Sequence, residues 1–149
     1  MKTHRLGWLA VRFAAFVLCA GASYSHAQSP KALLLFGGDD HKTFLGCLNC
    51  GDSSAVSVCN EYGEFGSEYS STSIWNDYSH FGNEYSSQSP WNDYASDAPI
   101  IVDKDGNSYG YLSTNTYHRD RTRIDWLVTV LEFYEKTKNL DQTRKKMCG

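Results

Sequence analysis

The sequence predicts a small α+β fold: an antiparallel sheet from two β-hairpins, an aromatic Gly/Ser-rich repeat inserted between them with short helical turns, and one C-terminal helix. Two segments pair apolar runs across turn residues. Between them a sixteen-residue unit, NEYGEFGSEYSSTSIW then NDYSHFGNEYSSQSPW, stands in tandem. One late segment carries apolar residues at helical spacing.

At the N-terminus, Lys2 and Arg5 precede an apolar run from Val11 to Ala22, and Ser25-His26-Ala27 follows. A charged start, an apolar stretch too short to span a bilayer and small residues before a cleavage point make residues 1–27 a predicted signal peptide. A lipid anchor on Cys19 would need a small residue before it, where Leu18 stands. The expected product is exported, periplasmic or secreted, with no membrane insertion after cleavage. Residues 28–138 are expected to form one domain with the repeat insertion at 57–95, and residues 139–149 a frayed, polar basic tail.

The first hairpin is expected from Ala32 to Phe36 and Thr43 to Leu48, across Gly37-Gly38-Asp39-Asp40. The second runs from Ile100 to Asp103 and Ser108 to Ser113, with Asp105-Gly106 as its turn signal. Four short strands with one face covered suffice for a stable sheet.

Within the repeat the same phrase occurs three times: Ser57-Val58-Cys59-Asn60-Glu61-Tyr62, Ser73-Ile74-Trp75-Asn76-Asp77-Tyr78 and Ser89-Pro90-Trp91-Asn92-Asp93-Tyr94. Serine followed by proline in the third copy is a helix-start signal, so each phrase is expected to open a helical turn. The intervening Gly- and Ser-rich stretches are expected to be loops pinned by aromatic rings, which supply most of the area available for burial. Two and a half copies fall short of the roughly three that a free-standing solenoid needs. The insertion is therefore expected to pack on the flanking segments.

Over RTRIDWLVTVLEFYEKTK, Thr122 and Asp125 resemble a capping box, and Ile124, Leu127, Val128, Leu131 and Tyr134 share one face. Trp126, Val130 and Phe133 widen that face, which predicts a helix buried over much of its circumference.

Charge is segregated. No Lys or Arg occurs between Lys42 and Lys104, where nine acids lie, while nine Lys or Arg face six acids from Lys104 onward. Such a repeat would be repelled by phosphates, which argues against nucleic acid. It suits a cation, a basic partner or the chain's own C-terminal part.

Four cysteines follow the predicted cleavage point: Cys47, Cys50, Cys59 and Cys148. In an oxidising compartment they are expected to form disulfides, because CLNC lacks both the βαβ setting of a redox pair and the second pair of a zinc knot. Cys59 occupies the place of Trp75 and Trp91, so a bond from it would anchor the repeat. Cys50 is its first expected partner and Cys47 its second, leaving Cys148 for the remaining cysteine or free.

Other residue groups have the composition of chemical sites. Asp103 to Asn107 has the alternating oxygens of a calcium loop without its distant Glu, and fits a hairpin turn equally. Glu61, Glu68, Asp77, Glu84 and Asp93 offer a weaker cation surface. His118 near Asp120, between Arg119 and Arg121, would suit hydrolysis of an anionic substrate, or simply form a polar lead-in to the helix. Tyr69, Trp75, Asn76, Tyr85, Trp91 and Asn92 combine ring faces with planar polar groups, as sugar sites do, or else form the core. No nucleophile elbow, zincin or phosphate-loop motif occurs, and no cofactor is expected.

FLGCLNC, the doubled repeat and the segment from Pro99 to Ser113 resemble a group of uncharacterised small exported bacterial proteins, over roughly Leu33 to Leu131. The resemblance implies an exported bacterial protein and brings no activity or ligand. The expected function is a non-enzymatic exported binding, interaction or structural module, with protein or carbohydrate as partner classes. The alternatives are a metal-binding or thiol-redox protein, or a hydrolase using His118 and Asp120.

Overall fold

The computed structural model describes residues 30–149; the predicted signal peptide lies outside them. Four short strands, β1 (Leu34–Gly37), β2 (Thr43–Cys47), β3 (Ile100–Val102) and β4 (Ser108–Tyr111), form one antiparallel sheet in the order β2-β1-β3-β4. Both expected hairpins are present. The insertion leaves from the edge strand β2 and returns to the inner strand β3, so it hangs from one side of the sheet.

Each hairpin turn has a local cause. Gly38 turns the first with φ of 87°, and its carbonyl accepts the His41 N–H. In the second, Gly106 adopts φ of 83°, which a residue with a Cβ rarely does. Buried Asp103 accepts from the Asp105 and Asn107 N–H groups, the Asn107 amide, the Tyr109 phenol and the Lys31 ammonium. Its oxygens are thus committed to closing a turn, and the calcium reading of this loop is replaced by that clamp.

From Ser57 to Ala95 the chain forms no helix, contrary to the expected helical turns. It is a succession of tight turns in which carbonyls at Ser57, Asn60, Ser67, Ser70, Ser73, Asn76, Ser86, Ser89 and Asn92 each accept the N–H three residues on. One four-residue step per copy, Gly63 to Ser67 and Ser79 to Asn83, completes the sixteen-residue period. The Ser and Asn side chains explain why turns replace helix: each takes the N–H two residues on, as Ser73 does from Trp75 and Asn76 from Tyr78. That local bond competes with the helical one.

Successive turns stack at a spacing of six residues. The Asn60, Asn76 and Asn92 amides donate to the carbonyls of Ser54, Ser70 and Ser86 at 3.0–3.1 Å. The stacking also fixes two glycines, since a Cβ on Gly66 or Gly82 would lie 2.1 Å from the carbonyl oxygen of Asn60 or Asn76.

Trp75 and Trp91 fill the interior, at 4% and 1% exposure, with ring centroids 5.3 Å apart. The Trp75 indole donates to the Val58 carbonyl at 2.7 Å and the Trp91 indole to the equivalent Ile74 carbonyl at 2.6 Å. The next carbonyl in this series, on Pro90, has no third tryptophan to bond, and the Thr114 N–H takes it at 2.8 Å. At the other end Cys59 replaces the first tryptophan and is bonded to Cys148. Both ends of the repeat are therefore closed by flanking chain.

Helix α1 (Asp125–Thr137) covers this assembly with Leu127, Val130, Leu131 and Tyr134, the last 5.0 Å from the Trp91 ring. Three expectations for this region are corrected. Thr122 does not cap α1, since Ile124 holds the cap position and the Thr122 hydroxyl accepts from Ile124 N–H instead. Trp126 faces outward, so the apolar stripe is narrower than expected. Residues 139–149 do not fray: Leu140–Cys148 form α2, capped by the Asn139 side chain on Gln142 N–H and fixed by the Cys59–Cys148 bond. Among the described residues no helix is long and apolar enough to cross a membrane.

The two disulfides, Cys47–Cys50 and Cys59–Cys148, correct the expected pairing of Cys59 with Cys50. Strand β2 ends at Cys47 and the chain bends through Leu48 to Cys50, which supplies the turn that a three-residue bridge requires. Cys59 still anchors the repeat, through α2 in place of the sheet.

Candidate binding surface

The turn array sorts its aromatic residues by the phase of the turn that carries them. Trp75 and Trp91 follow Ser73 and Ser89 and point into the core. Tyr62, Tyr78 and Tyr94 follow Asn60, Asn76 and Asn92, and Tyr69 and Tyr85 follow Ser67 and Asn83. These five phenols are 84–98% exposed. A large aromatic ring in water contributes nothing to burial, so five on one repetitive framework mark a surface suited to contact.

Each of the five tyrosines directly follows an acid: Glu61, Glu68, Asp77, Glu84 or Asp93. Hydrogen bonding to Glu68 and Glu84, with the charge of those carboxylates, raises the Tyr69 and Tyr85 phenols above their ordinary range. Burial, then the charges of Glu84 and Glu68, pushes the Asp77 carboxyl up. Burial and the Glu84, Asp77 and Asp93 charges do the same to the Tyr134 phenol. The Asp77 carboxyl and the Tyr134 phenol therefore feel the carboxylates of the array.

Two cations of the C-terminal helical region meet it. Lys138 Nζ lies 2.6 Å from Asp93 Oδ2 and 5.3 Å from the Tyr134 ring centre, and Arg144 lies 4.0 Å from Glu61. Two open hollows share Asp77 as a wall. One, of about 420 Å³, is lined by Glu68, Tyr69, Trp75, Asn76, Asp77 and Tyr78; the other, of about 230 Å³, by Asp77, Asn83, Glu84, Tyr85, Tyr134, Lys138 and Leu140.

The six residues read from sequence as a sugar platform divide accordingly. Tyr69 and Tyr85 are exposed, Trp75 and Trp91 are core, and Asn76 and Asn92 spend both amide and carbonyl on backbone groups. The indoles thus present no open ring face, because the lack of aliphatic side chains in the repeat sends them inward.

Tyr62, Tyr78 and Tyr94 were not singled out from sequence, nor was Tyr117. Asn115 accepts the Tyr117 N–H at 3.0 Å, donates to the Ala95 carbonyl, and leaves Tyr117 exposed. Asn-x-Tyr occurs at Asn60, Asn76, Asn83, Asn92, Asn107 and Asn115, and it carries an exposed tyrosine everywhere except in the second hairpin, where the Tyr109 phenol donates to Asp103.

The other chemical candidates are not assembled. No bond joins His118 to Asp120; the His118 ring packs 4.5 Å from the Tyr111 ring, and Asp120 is exposed beside Arg119 and Arg121 in a separate hollow. Both CLNC thiols are in a disulfide. Among the described residues no three His, Cys, Asp or Glu side chains gather where one metal ion would bind. No protein-family model, curated protein or solved structure matches this chain.

Proposed function

We propose that this protein is an exported, non-enzymatic binding module whose contact surface is the outer face of the turn array. The observation that carries this reading is the exposure of Tyr62, Tyr69, Tyr78, Tyr85 and Tyr94, each on a turn whose backbone bonds leave the ring free. Tyrosine offers wide amphipathic contact area for little loss of side-chain freedom, which is why binding surfaces use it. Export accords with the predicted signal peptide and with two disulfides in a small chain.

Residue-specific photo-crosslinking in the cells that make the protein tests the reading. A photoreactive residue at position 78 should yield a discrete adduct in the exported fraction, whereas one replacing exposed Glu132 on α1 should not. Equal crosslinking at both positions, or none at either, would contradict a binding role for the array.

A further inference from the structure

We propose that the two hollows flanking Asp77 are the docking site for a lysine- or arginine-rich segment of a protein partner, one cationic side chain entering each hollow between an acid and a tyrosine ring. This rests on the array being the binding face and names its occupant.

Geometry supplies the first support. Asp77 forms a wall of both hollows, with Glu68, Tyr69 and Tyr78 around one and Glu84, Tyr85, Tyr134 and Lys138 around the other. Each hollow thus offers a carboxylate and an exposed ring, the combination that attracts an ammonium or guanidinium group.

Charge selects the occupant. The stretch from 43 to 103 contains nine acids and no Lys or Arg, a bias that binding a neutral sugar leaves unexplained. The acids are spread along the array without converging on a metal-sized point, which suits an extended basic chain better than a single ion.

The chain itself demonstrates the mode of capture. Lys138 sits on Asp93 and over the Tyr134 ring, and Arg144 faces Glu61. Among the described residues no Lys or Arg forms an ion pair with Glu68, Asp77 or Glu84, and Lys138, which lines the second hollow, is paired with Asp93 instead. Repulsion from Glu84 and Glu68 adds to burial in raising the Asp77 carboxyl, and a cation placed there would relieve it.

Titration of the full chain with labelled deca-lysine tests the proposal. Glu68→Gln, Asp77→Asn and Glu84→Gln together should weaken binding about tenfold, since each is an exposed charge worth a fraction of a kcal/mol. Asp52→Asn, Asp120→Asn and Glu132→Gln make the same change in net charge elsewhere and should leave affinity within about twofold of the starting value. Tyr69→Ser with Tyr85→Ser should weaken binding about fivefold at unchanged charge. Retained near-ultraviolet circular dichroism identifies variants that still fold, and the two tyrosine changes, on fully exposed rings, serve if the acid set does not.

Equal weakening by both charge sets would overturn the proposal, as would absence of deca-lysine binding. So would calcium, a soluble glucan or a second copy of the chain occupying the hollows in preference to deca-lysine, read by competition and by sedimentation. If deca-lysine fails while the crosslink at position 78 persists, the occupant is wrong and the face stands. If the crosslink also fails, the binding reading falls with it.

Discussion

Gly82 shows how closely single residues are specified here. An alanine methyl would sit 2.1 Å from the Asn76 carbonyl oxygen, against backbone that the stacked turns hold in place. Gly82→Ala is expected to cost about 2–3 kcal/mol by urea denaturation. Gly51→Ala, where a Cβ meets nothing within 4 Å, serves as the neutral reference. Asp103 makes a second residue-scale claim. Hydrogen bonding to Asn107 foremost, then to Lys31 and Tyr109, holds its carboxyl well below the usual carboxylate range. A carboxyl depressed in the folded state stabilises above its unfolded pKa of about 3.9 and loses that contribution as pH falls toward the folded value. Asp103→Asn should therefore lower stability at neutral pH and flatten its decline in acid, as followed by thermal melting across pH.

Among the elements, the disulfides differ in what they constrain. Cys59–Cys148 spans 89 residues and Cys47–Cys50 spans three. Loop-closure entropy assigns roughly 4–5 kcal/mol to the long bridge and roughly 2 kcal/mol to the short one. Replacing Cys59 and Cys148 by serine should lower the denaturation midpoint by the larger amount and loosen α2, which hydrogen exchange would detect; equal losses from both pairs would contradict this. Elements also differ in how far sequence revealed them. The strands and α1 were legible because alternation, Asp-Gly and helical spacing are local signals. The repeat's period was legible too, but not whether its tryptophans are core or surface, and its turns resembled helix starts, because Ser and Asn at helix caps and in tight turns make similar bonds. What decides between them is the next bond in the series, a stacking contact six residues away that propensity does not contain. Cys148 was unreadable for a related reason: α2 is polar, and its docking on α1 and on the core through Leu140, Met147 and Cys148 is what brings that cysteine to Cys59.

Across the whole molecule, the repeat divides labour between its faces. Tryptophans, Val58 and Ile74 pack inward beneath the sheet and α1, while Tyr62, Tyr69, Tyr78, Tyr85, Tyr94 and the acids before them face outward. Ionised Asp77 works against stability, because its raised pKa means that protonation favours the folded state, a benefit lost as pH rises through the folded value. Glu68, Asp77 and Glu84 make no ion pair among the described residues, since Lys138, which lines the hollow of Asp77 and Glu84, is paired with Asp93, and the proposed contact role accounts for keeping such acids at some expense of stability. The candidate surface was only half legible from sequence: the acids and two of the tyrosines were noted, but exposure depends on turn phase. Tyrosine footprinting tests the central claim most directly, comparing mild iodination of the purified protein with that of the protein in its exported setting. Tyr62, Tyr69, Tyr78, Tyr85 and Tyr94 should all label when purified, and Tyr69, Tyr78 and Tyr85 should be protected in place. Identical labelling of these tyrosines in the two settings would contradict a binding role for the array.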